Sequence, residues 1–154
     1  MKNILYCILL ITSLISSCNI PGNPSKIKDA IEQTASIPGC YESVTDKDTI
    51  RLNIEVHDNI VTGNLSYILM EKDKNTGTLK GRLKADTIFA DYIFMSEGTQ
   101  STREVAFIKK GNYLIEGFGP VEETTAKVVF KNRSALVFED VNRLAKIDCP
   151  ATNP

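Results

Sequence analysis

Period-two alternation of apolar and polar residues, interrupted at short intervals by turn chemistry, is the strongest constraint on how this chain folds. It is clearest from Thr49 to Val56, where Ile50, Leu52, Ile54 and Val56 share one face and Arg51, Asn53 and Glu55 share the other. Successive strand side chains point to opposite faces, so this pattern predicts a strand buried on one side. Similar segments are expected at 60–70, 78–84, 87–95, 103–109, 112–118, 126–131 and 135–139. Asp58-Asn59, Lys72 to Gly77, Ala85-Asp86 and Lys110-Gly111 supply the turns, and Ser96 to Ser101 reads as a polar loop. Many short strands at near-regular spacing predict an all-β domain, either an antiparallel barrel or a β-sandwich. Glycines inside the strands, at Gly63, Gly81 and Gly117, favour the barrel, because a closing sheet must bend sharply somewhere. The expected fold is therefore a small up-and-down barrel.

Two stretches depart from simple alternation. Lys26 to Ala35 places Ile27, Ala30 and Ile31 at spacings of three and four, which predicts one short amphipathic helix before the barrel. Thr87 to Met95 is apolar on both faces around Asp91, so it is expected to be covered on both, by the helix or by another sheet; the alternative is a contact surface. The tail from Asp140 to Lys146 reads as a helical turn.

The chain opens with Lys2, an apolar run from Ile4 to Ile15, then Ser16-Ser17-Cys18. A positive start, a short apolar core and small residues form the anatomy of a signal peptide. The run is well short of the ~20 residues that a spanning helix requires. Leu14-Ile15-Ser16-Ser17-Cys18 resembles the lipobox of bacterial lipoproteins, which implies cleavage before Cys18 and acylation of its thiol. Residues 1–17 are then a signal peptide. Residues 18–25, with Pro21, Gly22 and Pro24, form a lipidated tether, and 26–154 form a single domain. Asn19 replaces the Asp that resembles an inner-membrane retention signal, and no acidic run follows Cys18. The expected location is the outer membrane, facing the periplasm, with the covalent lipid as the membrane partner.

Removal of the signal leaves about 137 residues, a normal size for one domain. The formal charge moves from −1 to about −2. That lacks the basic footprint of a nucleic-acid binder.

From Gly39 onward the chain resembles a family of uncharacterised Bacteroidetes lipoproteins. The likeness rests on Gly39-Cys40-Tyr41, Thr62-Gly63-Asn64-Leu65-Ser66-Tyr67, Glu71-Lys72-Asp73, Asp86-Thr87-Ile88, Ala90-Asp91-Tyr92, Ser96-Glu97-Gly98 and Arg103-Glu104-Val105-Ala106-Phe107. It implies an exported lipoprotein and carries no activity. Gly39-Cys40-Tyr41 after a short helix also resembles, more weakly, the first strand of calycin barrels such as lipocalins, with Tyr41 where a Trp stands in that family.

Of four cysteines, Cys7 leaves with the signal and Cys18 is acylated. Cys40 and Cys149 remain, near the two ends of the domain and in an oxidising compartment. They are expected to form a disulfide; the alternative is two free buried thiols.

The chain holds no Gly-x-Ser-x-Gly and no His-Glu-x-x-His. His57 is the single histidine and falls on the polar face of its strand. Asp73-Lys74-Asn75-Thr76-Gly77 is similar to the start of a calcium loop, but its glycine comes one place early and Lys84 stands where the closing Glu belongs. A hairpin turn is the expected reading, with no metal and no cofactor. Glu97, Arg103 and Glu104 cluster in sequence around the polar loop, as a structural ion pair or as a ligand clamp built on the Arg103 fork. Asp48-Thr49-Ile50 and Asp86-Thr87-Ile88 each resemble the Asp-Thr-aliphatic O-glycosylation acceptor of exported Bacteroidetes proteins, which nominates Thr49 and Thr87. No catalytic residue is assigned. The expected function is a non-enzymatic binding or envelope-assembly module; the alternative is an enzyme using a carboxylate pair drawn from Asp91, Glu97 and Glu104.

Overall fold

The computed structural model describes residues 36–70 and 74–150. The expected signal peptide, Cys18, the expected tether, the expected helix at 26–35 and Asp73 of the calcium-like stretch lie outside the described residues.

Eleven strands form one sheet: β1 (Gly39–Val44), β2 (Thr49–His57), β3 (Ile60–Ile68), β4 (Asn75–Lys84), β5 (Thr87–Ser96), β6 (Thr99–Lys110), β7 (Tyr113–Phe118), β8 (Val121–Glu123), β9 (Val128–Phe130), β10 (Val137–Phe138) and β11 (Leu144–Ile147). Strands β1 to β7 form an antiparallel meander. Strand β11 then inserts between β7 and β1, pairing Leu144 with Leu114 and Cys40 with Ile147. The result is a closed eight-stranded antiparallel barrel, with β8, β9 and β10 outside its wall. Closure pairs both edges of β1 and β11, and the sheet ends only in the short outer strands β8 and β10.

The turns follow from local chemistry. Asp58 and Asn59 both hold positive φ, 49° and 64°, between the paired residues His57 and Ile60. A two-residue hairpin whose twist matches its strands needs this geometry, and Asn and Asp tolerate it. Glu97 and Gly98 repeat it at φ of 50° and 77° between Ser96 and Thr99. The stretch expected to be a loop at 96–101 is thus a tight turn, and β6 extends back to Thr99.

The inward face carries the alternating apolar residues. Leu52, Ile54, Val61, Leu65, Leu79, Ile88, Phe107, Leu114 and Leu144 are all buried. An eight-stranded barrel is just wide enough for side chains to fill. Here large residues, Tyr41, Tyr92 and Phe107 among them, occupy that space.

Two further sequence expectations are corrected. The tail at 140–146 is a single 3-10 turn, Asp140–Asn142, followed by the strand that closes the barrel. The expected strands at 126–131 and 135–139 shrink to β9 and β10 and lie outside the barrel. At Gly117 the Phe138 ring sits over the strand, with ring carbon Cε1 only 2.5 Å from where a Cβ would stand.

Strands β6 and β7 pair only from Phe107–Glu116 to Lys110–Tyr113. Beyond that point β7 turns to β10, while β6 takes β9 as a parallel neighbour at Arg103. The wall therefore parts along a seam between β6 and β7. The seam opens toward the end that carries the β1–β2, β3–β4 and β5–β6 turns.

Candidate functional site

At this end the barrel interior changes from apolar to polar. Period two carries Tyr67 (β3), Asn75 (β4), Tyr92 and Phe94 (β5), Arg103 (β6) and Glu116 (β7) to the inward face, as it does their buried neighbours Leu65, Leu79, Ala90, Val105 and Leu114. The Tyr67 hydroxyl donates to Glu116 Oε1 at 2.6 Å. The Arg103 guanidinium carbon lies 5.0 Å from the Tyr67 ring centroid, 5.7 Å from that of Tyr92 and 5.8 Å from that of Phe94. A guanidinium so placed is attracted to the negative ring faces. Tyr92 and Phe94 stack with centroids 4.7 Å apart, and Tyr67 meets Tyr92 edge-on.

Burial sets the electrostatics of the group. It pushes the Glu116 carboxyl above its ordinary range, while the Tyr67 hydrogen bond and the charge of Arg103 pull it back. Burial, with the Glu116 charge next, holds the Tyr67 hydroxyl well above its usual value. The Tyr92 hydroxyl is pushed up to about 12, again chiefly by burial. Three buried polar atoms have no hydrogen-bond partner among the described residues: Asn75 Oδ1, Tyr92 Oη and Arg103 Nε.

Glu97, Arg103 and Glu104 do not form one cluster. Glu97 is exposed at the tip of the β5–β6 turn. Arg103 points into the barrel and Glu104, as the next strand residue, points out of it. Glu104 is nevertheless buried, because the chain after β8 folds over it. The Phe130 amide donates to Glu104 Oε2 at 3.0 Å, and the Arg133 guanidinium donates to Oε1. Asp91 stands directly across from Glu104 on the same outer face, and Lys127 Nζ pairs with it at 2.6 Å. Two carboxylates opposite one another repel; Lys127 and Arg133, both from the outer excursion, neutralise them and dock it on the wall. Arg133 also stacks over Phe89, so the excursion covers one end of the second apolar face of β5, while Met95 at its other end is exposed. Between the excursion and β4 runs a groove of about 450 Å³, edged by Lys80, Arg82, Asp91, Lys127 and Arg133.

The clamp predicts an asymmetric response to mutation. Arg133 is 59 % exposed and Glu104 3 %. Removing Arg133 leaves a buried carboxylate without its cation, whereas removing Glu104 leaves a cation in water. Arg133→Met is therefore expected to cost about 3 kcal/mol and Glu104→Gln about 1–2 kcal/mol, most of the latter from a weakened bond to the Phe130 amide. Urea unfolding measures both. Equal and small effects would remove the clamp.

The remaining nominated residues are structural in their surroundings. His57 is exposed at the end of β2. Thr49 and Thr87 are half-buried at the first positions of β2 and β5, and so at opposite ends of the barrel. Thr87 Oγ1 donates to Asp86 Oδ1 at 3.0 Å, and Asp48 Oδ1 accepts from the Met70 amide at 3.0 Å. Asn75, Thr76 and Gly77 of the calcium-like stretch are paired in β4, and among the described residues no group of His, Cys, Asp or Glu is placed to hold a metal. Cys40 and Cys149 are joined in a disulfide, with Cα atoms 5.1 Å apart.

Sequence reading did not nominate Tyr67, Tyr92 and Glu116. The available signal was a polar or hydroxylated residue at an inward step of an alternating strand, and it is clearest at Glu116, where Leu114-Ile115-Glu116 interrupts an apolar run. No family model, curated protein or solved structure matches this chain.

Proposed function

We propose that this chain is a lipid-anchored cell-envelope lipoprotein, held on the periplasmic face of the outer membrane through Cys18, and that its barrel is a non-enzymatic binding module. The lipobox-like run Leu14 to Cys18 carries the reading. The Cys40–Cys149 bond supports it, since such bonds persist in oxidising compartments. The pairing of Asp91 with Lys127 and of Glu104 with Arg133 favours binding over catalysis, because neither carboxylate is left to move a proton. Acyl chains contribute about 0.8 kcal/mol per buried CH₂, so several of them make a durable anchor.

Cys18→Ala is expected to leave an uncleaved precursor or to release the protein from membranes. Envelope fractionation with intact mass measurement reads both. Normal processing and undiminished membrane association of that variant would falsify the anchor.

A further inference from the structure

We propose that the polar end of the barrel, at Arg103 and Tyr92, whose unpartnered atoms are both donors, is a binding site for the carboxylate group of a small ligand with an apolar body. The proposal deepens the binding-module reading and rests on it.

The first support is the placement of the unpartnered atoms. Buried donors and acceptors are nearly always satisfied, so each exception calls for a missing partner. The three found here, Asn75 Oδ1, Tyr92 Oη and Arg103 Nε, do not scatter over the molecule. They lie on the inward face of three consecutive strands, at one end of the barrel. Tyr92 and Arg103 are directly opposite in the ladder. The Arg103 N–H and the Tyr92 O–H are both donors, and a ligand oxygen that accepts from them satisfies both. Arg103 is half-buried and, although its charge acts on the Glu116 carboxyl, it forms no direct ion pair among the described residues.

Charge and shape select the ligand class. Arg103 is a single cation with the buried Glu116 carboxyl nearby, so the site neutralises at most one negative charge. A dianionic phosphate would be under-compensated; a monoanionic carboxylate matches the planar fork. The Tyr67, Tyr92 and Phe94 rings surround the fork and offer apolar contact to what the carboxylate carries. Exposed Val44, Ile68, Met70 and Met95 lie at the same end, next to its turns.

The test uses the lipidated full chain in non-ionic detergent, with benzoate as probe and benzamide as its neutral isostere, followed by titration calorimetry. Benzoate is expected to saturate one site, and benzamide to bind about tenfold more weakly or worse. Arg103→Met should lower benzoate affinity about tenfold or more, and Tyr92→Phe several-fold. Arg82→Met, on the outer groove, should leave it within about twofold. If Arg103→Met fails to fold, Tyr92→Phe carries the test, because deleting an unused orphan hydroxyl stabilises the barrel and leaves affinity alone. The proposal fails if benzamide or inorganic phosphate binds as tightly as benzoate, if Tyr92→Phe binds unchanged, or if no saturation occurs and the orphan atoms hold water only. Benzoate binding that depends on Arg82 and not on Arg103 sinks this site and leaves the binding-module reading standing. Turnover of a bound carboxylate by the intact protein keeps the site and sinks that reading.

Discussion

Breaking the Cys40–Cys149 bond is expected to lower the stability of the barrel by about 4.7 kcal/mol on the chain-entropy account, while leaving its fold in place. The two cysteines are 109 residues apart in sequence, so the bond closes a loop containing nearly the whole barrel. Without it the unfolded chain regains most of its freedom, and that gain is the main source of the loss. The native side changes less. Cys40 is paired with Ile147 in the β1–β11 ladder, and Cys149 stands two residues beyond, so the ladder already brings the two ends together. The bond is placed where β11 is weakest, since this closing strand is only four residues long. Paired Cys40→Ala and Cys149→Ala substitutions should therefore shift the urea midpoint down by about 2 M, taking a typical slope for a small domain, with an unchanged far-ultraviolet spectrum. An unshifted midpoint would mean that the β1–β11 ladder alone sets closure.

The second large effect is expected inside the wall. A Cβ at Gly63 would stand 1.9 Å from the carbonyl oxygen of Asn53, and one at Gly81 would stand 2.1 Å from that of Phe89. Both obstacles are backbone of the neighbouring strand, which a rotamer change cannot move aside. Gly63→Val is expected to cost about 4 kcal/mol or more, at the upper end of single-residue effects, because β2 and β3 must separate to accept it. Gly111 supplies the contrast. It has a positive φ of 59°, but a Cβ there meets nothing. Gly111→Ala should therefore cost only the left-handed backbone penalty, about 1–2 kcal/mol. Similar losses at the two positions would show that backbone conformation, and not close approach, is what Gly63 provides.

Strands β2 to β7 of the meander were legible because each is long enough to show its period. Ile50–His57 offers four inward and four outward choices, and all agree. The short elements were not legible for the converse reason. Leu144–Ile147 and Val121–Glu123 are too brief to establish any period, and the first was taken for a helical turn. Residues 99–101 read as loop because they are polar on both faces; near the end of a barrel a strand can extend past the core and need no apolar face. The candidate site was half legible. Arg103 was singled out, but it was grouped with Glu97 and Glu104 by nearness in sequence, and adjacent strand residues face opposite ways.

The residues alone determined an all-β domain, its principal turns, the pairing of two specific cysteines and a lipobox-like start. Each depends on local geometry, on residue type at a short spacing, or on counting. Only the tertiary structure decided which strand closes the barrel, that Glu104 is buried under Arg133, and that Tyr67, Tyr92, Arg103 and Glu116 converge. Those outcomes come from strands distant in the chain meeting across the barrel. Glu116 and Tyr67 are 49 residues apart and bonded through their side chains. Alternation states which face a residue takes; it carries no information about which residue it will meet there.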